Sequence, residues 1–170
     1  MNKPQIKVAS AYLWSMVDSI LSGLWEGLGK LFKVRISSEA LHKIMRHVSR
    51  PYEQIGLLIG EVNGGTVIVR DAVRGEGSAG NSHSTISPES MARVAHAILT
   101  GKINGRIVGW YHSHVGCGVF MSNVDVQTQL VLQQFSQYVI SLVIDSRTGE
   151  LAAFTYNQPL GVVQLPIEFI

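Results

Sequence analysis

The 170-residue chain holds a single cysteine, Cys117. No disulfide can close within it, so a reducing compartment, the cytoplasm, is the simplest setting. Charge is also scarce. Asp, Glu, Lys and Arg make up 15% of residues, the formal net charge is +2 and the pI is about 8.8. No dense Lys/Arg run and no basic–aromatic patch occurs, so nucleic acid is not an expected partner. The start of the chain lacks the basic lead, compact apolar core and small-residue cleavage site of a signal peptide. No internal repeat is visible. What is present is 46% hydrophobic residues. That composition excludes a disordered chain and suits one domain with a real core.

A clean membrane span is missing too. Residues 6–34, "IKVASAYLWSMVDSILSGLWEGLGKLFKV", are apolar, but Asp18, Glu26 and the serines 10, 15, 19 and 22 interrupt them. No transmembrane segment is expected. Leu13, Val17, Ile20, Leu24, Leu28 and Leu31 recur at three- and four-residue steps, and Trp14, Leu21, Trp25 and Phe32 widen the same face. That periodicity predicts an amphipathic helix. Gly23, Gly27 and Gly29 weaken it by about 1 kcal/mol each relative to Ala. Residues 1–33 therefore read as a helical extension, packed on its own domain or on a second copy in a homodimer, with a partner protein or a membrane surface as further docking places. Residues 34–170 read as the domain.

From residue 34 the pattern mixes α and β. "KVRI" is a short strand, and Ser37 or Ser38 caps a helix through His47 with Leu41, Ile44, Met45 and Val48 inward. "QIGLLIGEV" and "TVIVRDAV" are strands joined by "NGG" at 63–65, a strong hairpin signal. "RGEGSAGNSHSTIS" is a polar glycine-rich loop. Ser87 caps the next helix, with Pro88 in its first turn, to about Thr100. "GRIVGWYHSH" is a strand, and Ser122 starts a helix with Val126, Leu130 and Val131 inward. "YVISLVID" and "ELAAFTYN" pair across "SRTG", and the tail "GVVQLPIEFI" is one further strand. The sum is an α/β domain with a mixed, mostly antiparallel sheet flanked by helices.

In "GWYHSHVGCGVFMSNVDVQTQ", residues 109–129, two histidines stand one residue apart. Strand side chains alternate faces, so His112 and His114 point the same way. Seven residues separate His114 from Ser122, and Asp125 follows it at i+3 on a new helix, where both can face the strand end. Two imidazoles and a carboxylate suit Zn²⁺ and leave a fourth position for water. Taken singly, Ser122 reads as an N-cap and Asp125 as a favourable first-turn charge. Those readings do not explain why both follow His-x-His.

The pattern His-x-His, seven residues, Ser-x-x-Asp resembles the JAMM (MPN-plus) metalloprotease family, and the likeness extends over about residues 34–157. Within that family the chain is similar to the deubiquitinase of the proteasome lid and to the signalosome deneddylase. The resemblance implies an MPN (JAMM) fold and a zinc isopeptidase that cleaves ubiquitin or a ubiquitin-like protein from a substrate lysine, linked to the proteasome and set in an archaeal system. One Zn²⁺ per chain is implied on His112, His114 and Asp125. Glu53, in "EQIGLLIG", takes the family's place as general base and acid, and Ser122 that of oxyanion donor. The loop at 75–86, with Gly75, Gly77 and Gly80, takes the place of a substrate-binding insertion. Two departures stand out. Val115 replaces the usual proline after the second histidine, and Cys117 and Phe120 occupy loop positions where the family carries an aromatic and a tryptophan.

Other signals carry less. "GEGSAG" fits GxGxxG, but no helix opens behind it to receive a pyrophosphate. His42, His47, His83 and His96 share no ligand spacing and read as surface or satisfied histidines. Cys117 has no base placed beside it and reads as a small apolar wall residue. The rival readings are a non-catalytic MPN scaffold and a JAMM metallopeptidase acting on other small-protein substrates.

Overall fold

Strand β1 (Lys33–Ile36) follows directly on Phe32. In the computed structural model, which describes residues 32–75 and 86–170, Phe32 is buried and packs edge-on against Tyr138 with ring centroids 5.4 Å apart. Helical spacing assigns Phe32 to the face of the preceding segment. Its burial instead places it in the core with the sheet. The expected N-terminal amphipathic helix lies outside the described residues, as do Gly77, Gly80 and His83.

Helix α1 (Ser38–Val48) is capped by Ser37, whose hydroxyl accepts from the Ala40 N–H. Its inner face is Ala40, Ile44, His47 and Val48, with Leu41 and Met45 half-buried beside them. β2 (Ile55–Asn63) and β3 (Thr66–Arg74) form the expected hairpin. Gly64 and Gly65 turn it at φ 53° and 75°, the left-handed conformation that a two-residue turn demands. α2 (Pro88–Leu99) starts on the Ser87 cap with Pro88 in its first turn. β4 (Arg106–His114), α3 (Asn123–Gln133), β5 (Ile140–Asp145) and β6 (Leu151–Asn157) follow where the sequence predicts them.

The tail differs from expectation. It forms two strands, β7 (Gly161–Leu165) and β8 (Ile167–Phe169), and the sheet order is β7-β6-β5-β4-β2-β3-β1-β8. The two tail strands thus lie at opposite ends of the sheet although only Pro166 separates them. Two residue steps span at most about 7 Å, so the sheet curls until its edges approach at this corner. There the Pro166 carbonyl accepts from Val34 N at 3.0 Å. Among the described residues, four strand pairings are antiparallel and three (β1/β3, β1/β8, β4/β5) parallel. The sheet is mixed, with only a narrow antiparallel majority. No described helix is long and apolar enough to cross a membrane.

The central strands β2 and β4 are buried on both faces. One face packs Ile55, Leu57, Ile59 and Trp110 against Val94 of α2 and Leu132 of α3. Tyr111 points the other way. Its hydroxyl meets His47 Nδ1 of α1 at 2.8 Å, and a Cβ on Gly56 would fall 2.4 Å from its ring. Alternation along β4 therefore sends Trp110, His112 and His114 to the α2/α3 side.

Candidate metal centre

α3 does not bury the side that its apolar residues suggest. Val126 and Leu130 are half-buried and Val131 is 56% exposed, whereas Asp125, Gln129 and Leu132 face inward. The helix presents a polar stripe to the sheet because β4 offers polar partners there. Gln129, fully buried, accepts from Trp110 Nε1 at 2.8 Å and donates to the Val139 carbonyl at 2.7 Å. Four residues earlier on the same face stands Asp125.

Ser122 is the N-cap. Its backbone N–H donates to Asp125 Oδ2 at 2.7 Å, and its hydroxyl accepts from Asp125 N at 3.3 Å, a reciprocal capping box. The cap and the site share one carboxylate. Asp125 Oδ1 stands 3.3 Å from His112 Nε2 and Oδ2 stands 3.9 Å from His114 Nε2. All three residues are buried, and one ligand atom from each lies within 4.8 Å of the others, a group that could hold a metal ion. The sequence-predicted ligands are thus brought together from β4 and the first turn of α3.

Hydrogen bonding supports a cation among them. The buried His112 ring completes no hydrogen bond among the described residues; its Nε2 faces Asp125 Oδ1 at 3.3 Å, where a cation would take the lone pair. Its ring stacks on Trp110, centroids 4.7 Å apart and 16° from parallel. His114 Nδ1 lies 2.8 Å from the Gly118 carbonyl. A carbonyl only accepts, so in the neutral ring the hydrogen is assigned to Nδ1, and the Nε2 lone pair faces Asp125. The imidazoles in turn shape the charges. Burial pushes the Asp125 carboxyl up, but the neighbouring His112 and His114 rings and the Ser122 contact outweigh it and hold the group well below the usual carboxylate range. Asp125 raises the pKa of His114 against the opposing effect of burial, with the Gly118 carbonyl and the Glu53 charge adding to the rise. Two nitrogen lone pairs and one carboxylate, with a position left open, make a donor set that fits Zn²⁺.

Glu53 comes beside this group through strand register. Ile55 pairs with His112, and Gln54 and Ser113 extend the ladder, Gln54 N to Ser113 Oγ and Ser113 N to Gln54 O, each at 2.9 Å. Glu53, half-buried, lies two residues before β2, and its charge acts on His114. It is not among the three clustered ligands. Gly75 begins the glycine-rich segment next to the same strand end, its N–H donating to the Ile55 carbonyl at 2.9 Å. A Cβ on Gly75 would meet that carbonyl at 3.0 Å. Phe120 is partly exposed and its ring lies 4.6 Å from that of His114. Cys117 does not wall the site: it is exposed, with its sulfur 4.0 Å from the Val115 carbonyl. His42 and His96 are exposed, and His47 is satisfied by Tyr111.

Two residues escaped the sequence reading. Gln129 carried one signal, its place four residues after Asp125 on a helix face. Asp145 read only as the last residue of the strand "YVISLVID". In the structure it is buried, and the N–H groups of Arg147 and Gly118, against the effect of burial, hold its carboxyl below the usual range.

Residues 30–138 match the family model described as JAB1/Mov34/MPN/PAD-1 ubiquitin protease. The chain is similar to COP9 signalosome complex subunit 5b of Arabidopsis thaliana, 35% identical over 147 residues, which cover 79% of this chain and 41% of that protein. It is 37% identical over 138 residues to COP9 signalosome complex subunit 5 of Dictyostelium discoideum, covering 74% and 41% respectively. The chain thus spans about two fifths of the length of these relatives. The solution structure of a protein from Desulfitobacterium hafniense superposes with a TM-score of 0.67 at 17% identity, over 81% of this chain and 92% of that one, a likeness of fold.

Proposed function

The chain belongs to the JAB1/Mov34/MPN/PAD-1 ubiquitin protease family, and on that premise we propose that it is a zinc-dependent isopeptidase releasing ubiquitin or a ubiquitin-like protein from a substrate lysine. The observation that carries this reading is the buried convergence of His112, His114 and Asp125 within 4.8 Å. These three residues would hold the metal. Zn²⁺ bound there would supply Lewis acidity, lowering the pKa of water towards about 7 and polarising a carbonyl oxygen. Glu53, whose charge acts on His114, takes the proton of the attacking water and returns it to the leaving lysine amine. The Ser122 hydroxyl accepts the Asp125 N–H and keeps its own hydrogen free to donate to the oxygen that becomes negative as the carbonyl is attacked. The extended C-terminus of the ubiquitin-type substrate is recognised by the segment at 75–86. The same reading sets the enzyme in the cytoplasm, acting on conjugates destined for the proteasome.

Cleavage of a ubiquitin fusion, with and without chelator, tests the activity. Glu53→Gln separates the roles: glutamine keeps the size but cannot take a proton near neutral pH. This variant is expected to retain its metal and to lose about 10²- to 10⁴-fold in rate. Asp125→Asn is expected to lose metal and cleavage together. If Glu53→Gln cleaves at close to the parent rate, the base lies elsewhere.

A further inference from the structure

We infer that Asp145 is a positioning residue for the metal centre: through Gly118 it fixes the ring of His114 with its hydrogen on Nδ1 and Nε2 free to bind. Asp145 ends β5 opposite His114 in the parallel β4/β5 register. It is 1% exposed, and its carboxylate is filled by backbone donors. Oδ2 accepts from Gly118 N at 2.7 Å. Oδ1 accepts from Gly116 N at 3.0 Å and Arg147 N at 2.9 Å, with Thr148 N at 3.4 Å. The first two donors belong to the loop that leaves the metal site, the last two to the β5–β6 turn. One carboxylate thus ties the two segments together.

Gly118 relays the tie. Its N–H is held by Asp145, and its carbonyl receives the His114 Nδ1 hydrogen at 2.8 Å. The loop adopts this path only with left-handed backbone at Gly116 and Gly118, φ 80° and 83°, conformations open chiefly to glycine. A Cβ on Gly116 would press on the Arg147 side chain at 2.8 Å. The main chain of His114 is held from the same turn, its carbonyl accepting from Ser146 N at 2.9 Å and Ser146 Oγ at 3.0 Å. With backbone and ring anchored separately, the remaining freedom of His114 is which nitrogen carries the hydrogen, and the Gly118 carbonyl decides that. A ligating histidine whose other nitrogen donates to a fixed acceptor is set in orientation and tautomer before metal arrives. Asp145 lies beyond residues 30–138, the stretch that matches the family.

The consequence for metal rests on the zinc reading above, whereas the tautomer does not, and the test separates them. Long-range proton–nitrogen spectra of the ¹⁵N-histidine-labelled full chain, metal-free and at alkaline pH, report which His114 nitrogen is protonated. The parent is expected to show a single Nδ1–H form. Asp145→Asn offers one carbonyl oxygen and an amide donor that repels an N–H. It is expected to give mixed tautomers at His114 and about 10- to 100-fold weaker zinc binding. Thr148→Ala keeps the backbone N–H that Asp145 accepts and controls for disturbance of the turn; it should match the parent. A folded Asp145→Asn with the parental tautomer overturns the inference. So does a metal-free parent whose His114 carries its hydrogen on Nε2, a result that needs no variant to fold. If the parent binds no zinc yet its tautomer depends on Asp145, the positioning stands and the isopeptidase reading falls.

Discussion

Replacing Gln129 by Met tests whether the polar stripe of α3 holds the site together. Methionine keeps nearly the same length and volume, so little cavity is added and the change isolates the hydrogen bonds. Two are lost: Trp110 Nε1 to Gln129 Oε1 at 2.8 Å, and Gln129 Nε2 to the Val139 carbonyl at 2.7 Å. The consequences are unequal. Trp110 is 0% exposed, so its N–H becomes an orphan. The Val139 carbonyl keeps a longer contact with Thr155 Oγ1 at 3.4 Å. A stranded buried donor costs about 1–3 kcal/mol and a partly compensated acceptor about 1 kcal/mol, together about 2–4 kcal/mol. For a chain of this size 1 kcal/mol corresponds to about 2–4 °C, so the Tm is expected to fall by about 5–15 °C. The scan belongs in excess chelator, because bound metal would stabilise both proteins by mass action. Adding Trp110→Phe removes the stranded donor. The double-mutant cycle should therefore return a coupling of about 1–3 kcal/mol beyond the packing loss of Trp110→Phe alone. A Tm for Gln129→Met within about 2 °C of the parent, under 1 kcal/mol on the same conversion, would refute the reasoning.

Metal analysis of the parent should give one zinc per chain, and His112→Ala should lose it almost completely, since the three ligands form one group; zinc retained at full occupancy would move the site elsewhere. Acid should destabilise the fold through His47. Burial, with the positive charges of Arg74 and Arg50 adding, lowers its pKa from 6.5 to about 4. The ring is neutral in the folded chain while the unfolded chain binds a proton first, so this contribution is whole above about pH 6.5 and is lost as pH falls towards 4. Urea titrations between those limits should show a decline that flattens in His47→Leu, and an equal slope in both proteins would exclude His47 as its source.

Much of the site was legible in the chain because it is built from short-range periodicities. The period of two along "GWYHSH" sets His112 and His114 on one face. The i to i+3 step from the Ser122 cap sets Asp125 in the first turn, and its capping box is itself a local motif. The hairpin at Gly64–Gly65 and the caps at Ser37 and Ser87 follow from the same kind of rule, a backbone need met within a few residues. Other features depend on elements far apart in sequence. Glu53 enters two residues before β2, and only the β2/β4 pairing sets the neighbouring Ile55 against His112. Gln129 turns inward, and Val131 outward, because the strand beneath α3 presents an indole N–H. The tail divides at Pro166 because the curled sheet brings two edges within reach of one residue. Asp145 reads as an ordinary strand-end aspartate until the parallel β4/β5 pairing sets it opposite His114 and its carboxylate accepts from the glycine loop. Local spacing determined which side chains could bind a metal. Strand register and helix docking decided which groups orient them, because a hydrogen bond between distant segments exists only once the sheet has brought its partners together.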